Sequence, residues 1–275
     1  MRKFLVLLLS IILVPNVLAN IVFEGQPKPY YNLGDNISVS VSITSETSTS
    51  GLLKVMLSCE KYNLEYFVTP VKLNAYDERI FSIPTLAVSD SMIGTCELIA
   101  TLRNMADELI FEVSSEEFSV TKDITLTASL SNDELLPGEL LVLKGFIETS
   151  HESFQGATVK IILDDEFYFE LQTPLPEFSY EFNISPTIKS GTHHIKIQAF
   201  DDFSNFGEKV VTFSVIPVAK SLKTIISNRF VIPSESLLIT PLLYDQAGDL
   251  MAGTANILIE DTDSCLLYTS PSPRD

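Results

Sequence analysis

Residues 136–165, LPGELLVLKGFIETSHESFQGATVKIILDD, align without a gap to residues 232–261, IPSESLLITPLLYDQAGDLMAGTANILIED. Identities fall at Pro137/Pro233, Glu139/Glu235, Leu141/Leu237, Thr158/Thr254, Ile161/Ile257 and Asp165/Asp261, a constant step of 96 residues. Phe118, Ser119 and Val120 recur as Phe213, Ser214 and Val215, as if each copy closed on the same last strand. A period of this length suits one β-sandwich per repeat, so the chain reads as an array of modules.

Within each copy the dominant pattern is alternation of period two. Ile37, Val39, Val41 and Ile43 share one face of ISVSVSI and Ser38, Ser40 and Ser42 the other, which is the pattern of a half-buried strand. Similar runs follow at LLKVMLSC, NLEYFVTPVKL, ERIFSIP, TCELIATL, DELIFEV and EFSV, separated by turn residues. The second copy repeats this with ITLTASL, LLVLKGFI, TVKIILD, FYFELQ, FSYEFNI, HHIKIQAF and EKVVTFSV, and FDDFSNFGE reads as the hairpin loop between its last two strands. Ile216, Pro217 and Val218 form a short linker, and a third copy starts near Lys220 and breaks off after ANILIED.

The pattern PGELLVLKG, GATVKIILDD, SGTHHIKIQAFDDFSN resembles the tandem immunoglobulin-like modules of secreted and cell-surface proteins of archaea and bacteria. In the first module YNLGDNISVSV is a variant start, with Gly34 and Asp35 where Gly138 and Glu139 stand in the second. The resemblance implies an all-β fold of tandem immunoglobulin-like β-sandwiches: 20–122 for the first, 123–217 for the second and 218–264 for a partial third. The chain departs from antibody-type domains in having no Trp and in the shorter spacing between Cys59 and Cys96.

The N-terminus points to export. Arg2 and Lys3 precede the apolar run Phe4 to Val14, Pro15 and Asn16 break it, and Val17 and Ala19 are small residues of the kind a signal peptidase reads. The run is too short to span a bilayer, so residues 1–19 are expected to be a signal peptide cleaved before Asn20. At the other end CLLYTSPSPRD, residues 265–275, resembles the translated read-through of a transposase sequencing adaptor, so it is expected to be an artefact and the gene to continue beyond Ser264. Discounting Cys265 leaves Cys59 and Cys96, which in an exported chain are expected to form one disulfide. The net charge of −18 becomes −20 once Arg2, Lys3, Arg274 and Asp275 are removed, an acidity that excludes nucleic acid and anionic membranes as natural partners.

Candidate chemistry is sparse. His193 and His194 are neighbours in a strand and point to opposite faces, so they do not chelate one metal together; His151 lies in a loop. No GxSxG, HExxH or CxxC occurs, and neither a catalytic triad nor a zinc site is expected. Asp201, Asp202 and Asn205 in one loop, and Asp164, Asp165 and Glu166 at a strand end, are oxygen ligands of the type Ca²⁺ takes, although Asp and Asn favour turns without any metal and no DxDxDG loop is present. Tyr30 and Tyr31, then Phe167, Tyr168 and Phe169, suit either a binding face or core packing. Asn36 with Ser38 and Asn183 with Ser185 match the N-glycosylation sequon.

The expectation is therefore a secreted or cell-surface protein, not an enzyme and without a cofactor, whose modules act as adhesive or spacer units. Its partner would be a protein or glycan at the cell surface, with membrane association only through a C-terminal anchor beyond the residues present. The alternative is the accessory arm of a secreted hydrolase or peptidase whose catalytic domain lies further along the gene; a strand-capturing periplasmic chaperone is a third reading.

Overall fold

The computed structural model describes residues 19–151, 154–228, 230, 232, 235–260 and 266–271. Residues 1–18 of the expected signal peptide lie outside it, whereas Ala19 is buried and begins the first strand, opposite Ser45. The described residues are almost entirely β, as the alternation requires, with a single 3₁₀ turn at Asp90–Met92. None of their helices is long and apolar enough to cross a membrane. The chain divides into two compact units, one running to Asp123 and taking in Ser150–Glu152 and Phe203–Asn205, the other comprising the rest.

The first unit contains β1 (Ala19–Glu24), β2 (Tyr30–Asn32), β3 (Asn36–Ile37), β4 (Ser40–Ser45), β5 (Thr49–Cys59), β6 (Tyr62–Leu73), β7 (Glu78–Ser82), β8 (Leu86–Ala87), β9 (Gly94–Arg103), β10 (Leu109–Ser114) and β11 (Phe118–Thr121). One sheet has the order β1-β4-β7 and the other β2-β11-β9-β5-β6, with β10 also on β9 and β3 paired to β8. The inward residues of both meet in one core: Ile21, Val41, Ile43 and Phe81 from the first, Leu53, Leu57, Leu98 and Phe118 from the second. Each fully buried Leu or Ile among them contributes about 2 kcal/mol over exposure, so the alternation read from ISVSVSI is also the main source of sheet-to-sheet adhesion.

The second unit repeats the plan with β12 (Thr125–Leu130), β13 (Glu134–Leu135), β14 (Leu140–Glu148), β15 (Ala157–Leu163), β16 (Phe167–Thr173), β17 (Glu177–Asn183), β18 (Gly191–Phe200) and β19 (Phe206–Val215). Its sheets run β12-β14-β17 and β13-β19-β18-β15-β16, with β13 parallel to β19 as β2 is to β11. Leu141, Leu143 and Phe182 of the smaller sheet close on Val159, Ile161, Ile195, Ile197 and Phe213 of the larger. After this sandwich, in the same unit, β20 (Ser221–Ile226) pairs with β21 (Ile239–Tyr244), and β22 (Asn256–Glu260) with β23 (Leu266–Pro271), the last drawn from the adaptor-like string. Apolar side chains here stand in solvent, among them Leu222, Ile225, Ile232 and Leu238.

The repeat in the sequence has a local physical cause. In the turn entering the second long strand of each copy, a carboxylate accepts the N–H three residues back: Asn32 N–H to Asp35 at 2.9 Å, Leu136 N–H to Glu139 at 2.8 Å and Ile232 N–H to Glu235 at 3.4 Å. The reverse backbone bond closes the same four residues each time. Gly34 and Gly138 occupy the third position at φ 86° and 87°, a left-handed conformation that glycine adopts without strain. A second pairing returns at the 96-residue step: Ser131 is tied to Val142 through both its N–H and its hydroxyl, and Ser227 to Leu238 in the same way.

Candidate functional site

A cluster of polar side chains in the second unit gathers where β15 turns into β16. Asp164 and Asp165 adopt left-handed backbone (φ 49° and 61°), and Glu166 N–H closes the turn on the Leu163 carbonyl at 3.0 Å. This two-residue geometry favours Asp, Asn and Gly. From the turn the Asp164 carboxylate meets His193 Nδ1 at 2.5 Å and accepts the His194 N–H at 2.9 Å. The other His193 ring nitrogen faces the Lys189 carbonyl at 2.9 Å, and the ring stacks on Phe213 with centroids 5.2 Å apart. His193 is thus buried and held on both nitrogens and one face, while His194 is exposed on the opposite side of the strand.

Beside this turn lies a pocket of about 340 Å³ lined by Leu163, Asp164, Glu166, Tyr180, Phe182 and Asn183. Tyr180 packs between Phe169 at 4.2 Å and Phe182 at 4.8 Å between centroids. Phe169 is therefore part of a packed aromatic row; the side chains of Phe167 and Tyr168 lie outside the described residues. Tyr30 is exposed, but Tyr31 is buried edge-on against Phe118, with its hydroxyl accepting the Lys28 N–H, so the two do not form one binding face.

The three oxygen-bearing residues singled out in the loop after β18 stand in different surroundings. Asp201 is half-buried, Asp202 is exposed and Asn205 is fully buried. Asn205 spends its carboxamide on the backbone of Leu33, accepting its N–H and donating to its carbonyl, both at 3.0 Å. Asp164 is likewise engaged by His193 and His194, leaving Asp165 to approach Lys196 at 3.4 Å. Among the described residues no three His, Cys, Asp or Glu side chains cluster so as to hold a metal ion.

Cys59 and Cys96 are joined by a disulfide. They sit directly opposite each other, Cys59 ending β5 and Cys96 near the start of β9, so the bridge ties two neighbouring strands of one sheet. Both sulfurs belong to the core of the first unit.

The sequence reading missed a buried polar knot in the first unit. Asp35 accepts the Asn32 N–H and the Ser150 hydroxyl and meets His151 Nδ1 at 2.6 Å, while Asn32 accepts the Ser150 N–H at 2.8 Å and donates to the Asp123 carbonyl at 3.0 Å. Local spacing gives no hint of it, because Asn32 and Ser150 are 118 positions apart. A second, in the other unit, centres on Asp245 and Gln246. Asp245 accepts the Ser190 hydroxyl at 2.6 Å and the N–H groups of Ala247 and Asp249 at 2.9 Å, and Gln246 bridges the Val218 N–H and the Ile188 carbonyl. The Ser190 hydroxyl, aided by these backbone N–H groups, holds the Asp245 carboxyl below the ordinary Asp value against the opposing effect of burial.

Two phenols are also displaced. Burial raises Tyr31 against the lowering effect of the Lys28 N–H, helped by the negative charge of Asp35. Burial pushes Tyr66 up to about 12, and its hydroxyl has no hydrogen-bond partner among the described residues.

The sequon residues differ from the other asparagines named here. Asn36 and Asn183 are both exposed, each followed by a buried isoleucine and then an exposed serine.

No protein-family model matches the chain, and no curated protein matches it. Solved structures do. A β-glucosidase from Listeria innocua, in complex with glucose, is 14% identical with a TM-score of 0.28 over 38% of this chain, which spans only 16% of the enzyme. A structure from a 1.5-MDa bacterial ice-binding adhesin, described in terms of host cell surface retention, is 14% identical with a TM-score of 0.31, over 94% of this chain and 97% of that one.

Proposed function

We propose that the chain is exported and works outside the cell as a non-enzymatic array of immunoglobulin-like sandwiches that act as spacer or adhesive units. The observation that carries the reading is repetition down to individual hydrogen bonds: the carboxylate-capped turn of Asp35, Glu139 and Glu235, and the same strand order in two successive sandwiches. An array needs reproducible modules, and those turns fix where each module's second long strand begins. A three-stranded sheet facing a larger one with a parallel short strand at its edge supports the immunoglobulin-like assignment. The buried disulfide and the N-terminal run of Arg2 to Val14 support export.

The absence of enzymatic activity is supported by what the polar groups do. His193, Asp164, Asn205 and Asp35 are consumed in holding turns and loops. Contacts to a partner are then made by loops at the module ends or by strand edges such as β6 and β16, which among the described residues pair on one side only. Fractionation of cells making the full chain, with a glycosidase, esterase and peptidase screen on the purified product, tests the reading. It expects the protein outside the cytoplasm and no turnover; cytoplasmic retention, or turnover lost in Asp164→Asn or His193→Ala, would overturn it.

A further inference from the structure

We propose that Asn36 and Asn183 carry N-linked glycans, one on each sandwich and at the same corner of the fold. The chain contains two Asn-x-Ser/Thr sequons, and both read Asn-Ile-Ser. In both, strand alternation drives the isoleucine into the core, Ile37 at 1% and Ile184 at 4% exposure, and turns the flanking Asn and Ser to solvent. A bulky polar adduct on the carboxamide therefore meets water and not the core. Neither carboxamide is held by a side-chain hydrogen bond to a described residue, whereas Asn32 and Asn205 are buried and fully committed and lie outside any sequon.

The two positions are related by the repeat, although 147 residues separate them and one lies near the start of its module and the other late in it. Asn36 directly follows the capped turn ending at Asp35, as Leu140 directly follows the turn ending at Glu139. Asn36 pairs with Ala87, and Leu140 pairs with Asn183. The next rung matches too: Val88 N–H donates to the Asp35 carbonyl at 2.8 Å and Ile184 N–H to the Glu139 carbonyl at 3.1 Å. Asn36 and Asn183 thus occupy the two sides of one equivalent cross-strand pair, formed by β3 and β8 in the first unit and by the ends of β14 and β17 in the second. Two sequons arising by chance would have no reason to meet at one rung of the fold.

In the reaction, the carboxamide nitrogen forms a bond to the anomeric carbon of a lipid-phosphate-linked oligosaccharide. The anomeric C–O bond breaks, its electron pair leaves with the lipid phosphate, and the amide proton passes to a base of the transferase. The inference rests on the export reading, since the donor is met only by a translocating chain.

The test expresses the full chain in a secretory host that performs N-glycosylation, once with its own N-terminus and once behind a proven leader, and maps secreted peptides by mass spectrometry. Glycan is expected on Asn36 and Asn183 only, each lost in Asn36→Gln or Asn183→Gln, and released from the folded protein by a peptide N-glycosidase with conversion of Asn to Asp. Secreted, disulfide-bonded protein with both asparagines bare would overturn the proposal, as would glycans released only after denaturation. Retention of the first form while the second is secreted and glycosylated would sink the export reading, and with it glycosylation of the natural chain, while showing that both sites accept glycan once the chain is translocated.

Discussion

Removing the Cys59–Cys96 bridge tests whether it acts as a staple within one sandwich. The two cysteines are 37 residues apart, and closing a loop of that length disfavours the unfolded chain by about 4 kcal/mol on the chain-entropy account. Replacing both buried sulfurs by alanine adds a packing loss of about 1 kcal/mol. For a domain near a hundred residues each kcal/mol moves the midpoint by about 4 to 8 °C, so a total loss of about 5 kcal/mol should make the double variant Cys59→Ala/Cys96→Ala melt roughly 20 to 40 °C lower in its first unit. Calorimetry gives the shift, and hydrogen exchange locates it: peptides over Leu98–Leu102 should lose protection while those over Ile195–Ala199 keep theirs. Because Cys59 and Cys96 face each other on strands that are already paired through eight residues of β5, the register should survive reduction. A shift below about 5 °C, or an equal loss in both peptides, would refute the staple.

Tyr66→Phe removes a buried hydroxyl without a partner and should stabilise the first unit by about 1 kcal/mol, read by urea unfolding at constant m-value; a loss of stability would mean the hydroxyl is hydrogen-bonded in solution. Gly51→Ala should cost about 3 kcal/mol, since the new Cβ would lie 2.0 Å from the Arg103 carbonyl oxygen and backbone has little room to yield; a near-neutral result would show that β5 and β9 separate easily there. The Asp245 carboxyl titrates lower in the folded chain than in the unfolded one, so its contribution is present above the ordinary Asp value near 3.8 and is lost as pH falls through the lower folded value. Exchange of the Ala247 and Asp249 amides, which donate to Asp245, should accordingly stay slow at about pH 5 and quicken as the pH falls below the ordinary Asp value, relative to Asp245→Asn, which should show no such step. Calorimetric titration with Ca²⁺ should show no sub-micromolar site, and Asp202→Asn should leave the isotherm unchanged.

What the sequence made legible is what period two and turn chemistry control. Ile37, Val39, Val41 and Ile43 all face the core as the alternation requires, and the loop FDDFSNFGE does join β18 to β19. Each of these is decided within a few residues, by the pleat or by a turn. Side-chain partnerships across the fold are not: Asn205 looked like an ion ligand because its neighbours are acidic, yet its oxygen is claimed by Leu33, 172 positions away. Asp164 is engaged for a related reason, because the His193–His194 pair that alternation splits to opposite faces presents a ring and an N–H to the same carboxylate. In a sandwich, loops from distant parts of the chain meet at the module ends, so acidic residues that look free in sequence are the ones most open to capture by unpaired N–H groups. An acidic cluster in such a chain is better read first as a set of turn caps, and the 96-residue recurrence of Glu139 as Glu235 supports this because the repeated carboxylate does the same structural work each time.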